Sequence, residues 1–245
     1  MRYGIFSDVH SNLEAFTAVI NAYKNENIDK YIFAGDIVGY AANPRECIAL
    51  LKGIDPIAVC GNHDWAVAGK TSIDNFNEYA KAAVLWTKEA ISNDEKKYLG
   101  DMELEYKNED LTVVHGSLDD PEDFNYIFNF YDATKTLEVL KTRVCFVGHS
   151  HAPLILYSDI KQENRFPKDI KQEKIKLEQD KKYLINVGSV GQPRDFDPRA
   201  CYCVFDTDKK EIELKRVKYD IKTAQEKILR AGLPEILANR LGRGM

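Results

Sequence analysis

Short apolar runs alternate with stretches of helical spacing through the first ninety or so residues. Residues 2–6 form one such run, ending at Ser7-Asp8, and predict a strand. Leu13, Phe16, Val19, Ile20 and Tyr23 then recur at helical spacing behind Asn12, a residue type that caps helices. The same signals repeat in order. A strand over 31–34 runs into Gly35-Asp36, and a helix opens at Pro44 and continues to about Leu51, with proline at a tolerated first-turn position. A strand over 57–60 runs into Gly61-Asn62, and a helix over 76–91 carries Tyr79, Ala83, Val84, Leu85 and Trp86 on a broad apolar stripe. Strands then dominate, at 103–107, 111–114, 144–147, 153–157, 183–187, 201–206 and 211–218. A helix near 132–141 sits among them, and helical segments near 221–231 and 234–241 follow the last. The first half predicts parallel strands with right-handed crossovers. The second half predicts another sheet, or an extension of the first.

A chain of 245 residues with 44% hydrophobic and 30% charged residues is expected to bury a sizeable core as a single domain spanning 1–245. The one compositional break is 159–182, rich in Lys, Glu and Gln, where Asp-Ile-Lys-Gln-Glu occurs at both 159–163 and 169–173. It reads as a charged loop or hairpin insertion, with a specificity flap or partner contact as the alternative. A net charge of −5 provides no broad basic surface for nucleic acid. Five cysteines without a C-x-x-C pair read as free, buried thiols. No apolar run approaches membrane-spanning length, and a strand begins almost at once, so neither membrane insertion nor a signal peptide is expected. A cytoplasmic location is the expectation.

The histidines change the picture. All five fall in four short clusters: Asp8-Val9-His10, Asn62-His63-Asp64, His115-Gly116 and Gly148-His149-Ser150-His151, with Gly35-Asp36 adding a carboxylate. Each cluster follows an apolar run at the point where a strand is expected to turn into a loop. In sheets with parallel strands, ligands collect beyond the carboxyl ends of the strands. Imidazoles, carboxylates and an amide oxygen converging from five strand ends suit a pair of divalent transition metals.

In order and kind these motifs resemble the calcineurin-like metallophosphoesterase superfamily, whose series is D-x-H, G-D, G-N-H-[ED], a later H and G-H-x-H. The likeness is closest to small stand-alone prokaryotic members of phosphodiesterase-like type, and it continues through residues 186–194. It implies an α/β fold in the form of a four-layer αββα sandwich, two packed β-sheets flanked by helices. It also implies two divalent ions, manganese foremost, with iron, zinc or nickel as alternatives. Asp8, His10, Asp36 and His151 would hold one, and Asp36, Asn62, His115 and His149 the other. His63 would face the substrate as a general acid or as a donor to the leaving oxygen. Asp64 would either orient that imidazole or stabilise the turn. The implied reaction is phosphoric ester hydrolysis by in-line attack of a metal-bridging hydroxide.

The chain departs from the superfamily's phosphatase pattern where Gly35-Asp36-Ile-Val-Gly39-Tyr40 lacks a second aspartate and an arginine, and where Cys60 stands before Gly61-Asn62-His63-Asp64 in place of arginine. Those arginines clamp a terminal phosphate dianion. Their loss favours phosphodiesters or a small nucleotide. Arg194 is a candidate replacement clamp, with an ion pair to Asp195 or Asp197 as the alternative. Asn12 and Tyr40 are candidate substrate contacts, although Asn12 also fits a helix cap. The acid- and aromatic-rich stretch 117–131 is expected to be a surface loop with core anchors, the alternative being a cleft wall. Three further readings compete with hydrolysis of a small phosphoester: a protein or nucleotide phosphatase of the same superfamily, a non-catalytic metal-binding scaffold, which an incomplete ligand set would mark, and a nuclease, which would need a basic groove.

Overall fold

The computed structural model describes residues 1–160, 167–169 and 171–245. In chain order the elements are β1 (Arg2–Phe6), α1 (Leu13–Tyr23), β2 (Lys30–Phe33), α2 (Pro44–Ile54), β3 (Ile57–Ala58), α3 (Asn62–Ala68), α4 (Glu78–Ala90) and α5 (Asn93–Gly100). There follow β4 (Glu105–Lys107), β5 (Thr112–Val114), α6 (Phe130–Val139), β6 (Val144–Val147), β7 (Leu154–Asp159), β8 (Lys168–Asp169), β9 (Lys174–Lys176), β10 (Lys181–Asn186), β11 (Ala200–Asp206), β12 (Glu211–Val217), α7 (Ile221–Arg230) and α8 (Glu235–Asn239). One sheet has the order β3-β2-β1-β11-β12-β9 and the other β4-β5-β6-β10-β7-β8. β1, β2 and β3 are mutually parallel, as are β5, β6 and β10, while the remaining pairings are antiparallel.

Alternation along the strands decides which faces meet. Tyr3, Ile5, Cys203 and Phe205 of the first sheet face Val144, Phe146, Tyr183 and Ile185 of the second, and the Phe146 and Phe205 rings lie 5.6 Å apart. The opposite faces take the helices. Phe6, Phe33 and Val204 receive Phe16, Val19, Ile48 and Leu51 from α1 and α2. Val114, Cys145, Val147 and Leu184 receive Ala133 and Leu137 from α6. A helical layer therefore flanks each of two packed sheets, the expected four-layer αββα sandwich.

Several local expectations need correction. Asn62 and His63 do not lie in a loop: they open α3, so His63 is the one histidine carried by a helix. α5 was not expected, because its exposed face is nearly all charged. Its start was nonetheless written as a capping box, in which Ser92 N–H donates to Glu95 at 2.7 Å and Glu95 N–H to Ser92 at 3.3 Å. α4 begins at Glu78, since the Asn77 side chain accepts from the N–H groups of Tyr79 and Ala80. Within 159–182, β8 adds to β7 and β9 adds to β12 of the opposite sheet, seating Ile175 and Leu177 in the inter-sheet core. Parts of both pentapeptide copies lie outside the described residues. Among the described residues, no helix is long and apolar enough to cross a membrane.

One buried carboxylate ties together the loops that leave β2 and β3. Asp64 Oδ2 accepts from the N–H groups of Asp36 at 2.8 Å and Gly61 at 3.0 Å, and Oδ1 from Ile37 at 3.0 Å and Val38 at 3.3 Å. Burial, reinforced by the Asp36 charge, pushes the Asp64 carboxyl up to about 7, while the backbone donors pull the other way. The two loops approach so closely that a Cβ at Gly61 would overlap Asp36 Oδ1. Asp64→Ala leaves four buried amides without their acceptor. It is expected to cost at least about 3 kcal/mol in urea unfolding; a loss below about 1 kcal/mol would show that the loops hold their shape without it.

Candidate metal centre

Strand ends bring the donors together. Asp8 and His10 follow β1, Asp36 follows β2, His115 follows β5, and His149 and His151 follow β6, all buried. Asp8, His10, Asp36, His149 and His151 have φ of 55°, 49°, 64°, 67° and 60°, in the left-handed region that non-glycine residues rarely occupy. Each such residue costs about 1–3 kcal/mol and persists where its surroundings over-determine it. Here the surroundings are a web of backbone bonds. Asp8 N–H donates to Gly35 O at 2.9 Å, His10 N–H to Asp36 O at 3.0 Å, and Gly191 N–H to Asp8 O at 2.9 Å.

The side chains then divide their atoms between anchor and pocket. His10, His115 and His151 each direct Nδ1 at a backbone carbonyl, of Val38 (2.9 Å), Ala34 (2.7 Å) and Gln192 (2.6 Å) respectively. A carbonyl only accepts, so each Nδ1 carries a proton and each Nε2 is the atom turned inward. The carboxylates follow the same rule. Asp8 Oδ2 accepts His149 N–H at 3.0 Å and Asp36 Oδ1 accepts His63 N–H at 2.9 Å, leaving the other oxygen of each for the pocket.

Those inward atoms crowd one another. Nε2 of His10 and of His151 stand 3.0 Å apart, and His149 Nδ1 lies 3.1 Å from His115 Nε2. Asp36 Oδ2 sits between His115 Nε2 at 3.3 Å and His10 Nε2 at 3.5 Å, and Asp8 Oδ1 is 3.3 Å from His151 Nε2. Donor atoms of Asp8, His10 and His151 lie within 4.8 Å of one another, as do those of Asp36, His115 and His149. Asp8 Oδ1 and Asn62 Oδ1 are buried without a hydrogen-bond partner. Crowded lone pairs and orphaned oxygens fit divalent cations and little else.

The electrostatics divide the histidines. Burial holds His149 and His151 well below the usual histidine value, with His115 adding to the effect at His149 and Arg194 at His151, so both rings are neutral and able to ligate. Burial also disfavours charge on His115, yet the Asp36 carboxylate outweighs it and raises the ring to about 9. At Asp36 the order is similar: burial works against the carboxylate, and the imidazoles, His115 foremost, outweigh it and lower its pKa.

His63 is different. It is buried, burial lowers it to about 3, and its Nδ1 has no hydrogen-bond partner. Its ring packs between Tyr40 at 4.6 Å, His10 at 4.8 Å and Phe76 at 5.0 Å. Gly39, at φ 98°, lets the backbone pass beneath it: a Cβ there would stand 2.5 Å from His63 Nδ1. One nitrogen of His63 also falls within 4.8 Å of the His10 and Asp36 donors. A cleft of ≈ 350 Å³ opens beside His63, Asn62 and His149, lined by Thr71, Ser72, Asn75, Phe76 and Asn77 and by Glu122, Asp123, Phe124 and Tyr126.

Two expected site residues serve other purposes. Asp64 directs both oxygens at backbone N–H groups, so it shapes the turn and does not orient His63. Asn12 caps α1 through Ala15 N–H at 3.1 Å and donates to Gly191 O at 2.8 Å, so its amide is spent inside the fold. Among the described residues Arg194 has no ion pair: Asp195 pairs with Arg216 and Asp197 with Arg199. Its guanidinium lies 5.6 Å over the Tyr40 ring. The stretch 117–131 proves to be a cleft wall, and Tyr126 stacks on His149 at 3.7 Å. Tyr126 carries no local motif, and only the packing of that loop against the His149 turn reveals it.

Comparison with known proteins bears on the same residues. The description of a calcineurin-like phosphoesterase superfamily domain matches residues 1–210. An uncharacterized protein of Methanocaldococcus jannaschii is 44% identical over 246 residues, covering 98% of this chain and 97% of that protein. The crystal structure of a metallophosphoesterase from Sphaerobacter thermophilus superposes with a TM-score of 0.86 at 40% identity, covering 100% of this chain and 99% of the other. A hypothetical protein from Pyrococcus horikoshii shares the fold, with a TM-score of 0.79 at 20% identity over 100% and 98% of the two chains. With its metal-type donors gathered at the strand ends, the chain belongs to the calcineurin-like phosphoesterase superfamily and is a metallophosphoesterase, a hydrolase of phosphoric esters.

Proposed function

We propose that the protein uses two divalent ions to hydrolyse a phosphodiester or small nucleotide. Asp8, His10, Asp36 and His151 would hold one ion, and Asp36, Asn62, His115 and His149 the other. The observation that carries this reading is Asp36 Oδ2, placed between His10 Nε2 and His115 Nε2 at 3.5 and 3.3 Å, with a donor group on either side. One carboxylate oxygen shared by two donor sets is what a bridging ligand requires. Manganese is favoured, because oxygen and imidazole donors without thiolate suit a hard-to-borderline ion.

Bound there, the ions would supply charge stabilisation and activation of water at neutral pH. The chain's own residues do the rest. The carbonyls of Val38, Ala34 and Gln192 hold three imidazoles in the ligating tautomer, and Asp64 keeps the Asp36 loop in register. His63 stands at the cleft, where it donates to the leaving oxygen as negative charge develops. Amides and hydroxyls at Thr71, Ser72, Asn75 and Asn77 would orient the ester, and Tyr126 would give it an aromatic face. The complete donor set speaks against a scaffold role. The acids in the cleft wall speak against a nucleic-acid strand, and the five free cysteines, all buried, suit a reducing cytoplasm.

Chain loaded with manganese is expected to bind about two ions per molecule by elemental analysis, and to hydrolyse bis-p-nitrophenyl phosphate until a chelator removes them. Loaded protein inert toward both that diester and p-nitrophenyl phosphate would favour the scaffold. His149→Ala should bind fewer ions, and an unchanged metal content would remove His149 from the ligand set. His63→Asn is expected to keep both ions while kcat falls by about 100-fold or more; loss of an ion instead would make His63 a ligand, as its nearness to His10 and Asp36 permits.

A further inference from the structure

His149 stands apart from the other imidazoles assigned as donors. His10, His115 and His151 each turn Nδ1 onto a backbone carbonyl and Nε2 inward. His149 is turned round: its Nδ1 is the inward atom, 3.1 Å from His115 Nε2. Among the described residues its Nε2 has no hydrogen-bond partner. No carbonyl or carboxylate therefore fixes the plane of this ring, although an imidazole must aim its lone pair at an ion to bind it.

An aromatic face takes over that task. The Tyr126 ring lies on His149 with centroids 3.7 Å apart and planes 21° from parallel. Phe128 lies alongside Tyr126 at 5.0 Å and 8°. Near-parallel, offset rings attract one another beyond the area they bury. Among the described residues His149 has one other ring contact, with His115 at 4.9 Å and 61°. That neighbour is a donor of the same set, so Tyr126 is the support that comes from outside the centre.

The loop that carries Tyr126 is built to hold it still. Phe124 and Ile127 on either side are buried, the first against Trp65 at 5.5 Å and His115 at 6.0 Å, the second among Ala133 and Leu137 of α6. Phe128 N–H donates to Asp132 at 2.9 Å. Gly116, beside His115, admits the loop: a Cβ there would stand 2.9 Å from Asn125 O. Tyr126 itself is 46% exposed, so its ring is no part of the core.

We propose that Tyr126 is a positioning residue whose ring fixes the imidazole plane of His149 for metal binding, as backbone carbonyls do for His10, His115 and His151. The assignment rests on the reading of His149 as a ligand to one of two ions. It also makes that ligand depend on a loop that walls the substrate cleft.

Manganese titrated by calorimetry into the chelator-treated full chain reads this without turnover. Wild type is expected to take up about two ions. Tyr126→Leu keeps bulk and removes the ring; it should weaken one ion about 10- to 100-fold and leave the other within about twofold. Tyr126→Phe keeps the ring and should restore the wild-type affinities. Added to His149→Ala, Tyr126→Leu should cause no further loss, because the imidazole it orients is already gone. The chelated Tyr126→Leu and wild-type chains should unfold at the same temperature. Tyr126→Phe as weak as Tyr126→Leu, or a further loss in the double variant, would each overturn the proposal. Earlier unfolding of Tyr126→Leu would overturn it too, by making Tyr126 a prop of the fold. Two ions bound equally well by wild type and Tyr126→Leu would sink this assignment alone, whereas a wild-type chain that takes up no manganese would sink the two-ion reading along with it.

Discussion

Crowded, inward-facing donor atoms are the constraint around which this protein is organised. His10 and His151 each spend the Nδ1 proton on a carbonyl, and their Nε2 atoms then stand 3.0 Å apart. The Asp8 and Asp36 carboxylates beside them add further donor oxygens to the same small volume. A cation resolves all these contacts at once. The surrounding structure therefore holds donors in place against their mutual repulsion, which is what pre-organisation for a metal means in physical terms.

That work falls to the backbone. Left-handed conformations at five donor residues turn the side chains inward in very few residues of chain, and inter-loop hydrogen bonds sustain them. The bonds cross between sheets: residues after β10 grip Asp8, while the His149 amide grips the Asp8 carboxylate. Packing of the two sheets through Tyr3, Ile5, Phe146 and Phe205 brings those strand ends to a common edge. Hydrophobic burial pays for the strain, since the core between the sheets is remote from the site and free of its conflicts.

Specificity is arranged differently from catalysis. Where the superfamily's phosphatases carry arginines within the metal motifs, this chain has Tyr40 and Cys60, and Cys60 is buried. Positive charge returns from other directions, at Arg194 in the loop after β10 and at Arg240 beyond α8. The cleft and the metal-type donors meet at Asn62 and His149, which border both.

Much of this was legible in the chain itself. Alternating apolar runs gave the principal strands, and the ordered motifs at their ends contain Asp8, His10, Asp36, His115, His149 and His151, whose donor atoms the structure gathers. Local signals do this well because strand periodicity and loop chemistry act over a few residues. The helix at Asn62–Ala68 escaped, since its seven residues show little periodicity and its start depends on Asp64 reaching back to Gly61. Asn12, Asp64 and residues 117–131 were each open to two readings, and the choice lay in which distant backbone group stood within hydrogen-bond reach. Residue identity alone determined that metal-type donors would leave the strand ends. Only the tertiary structure decided that Asp36 stands between two donor sets and that Tyr126 covers His149. Those are contacts between segments far apart in sequence, set by how sheets and loops pack and by no pattern within any one of them.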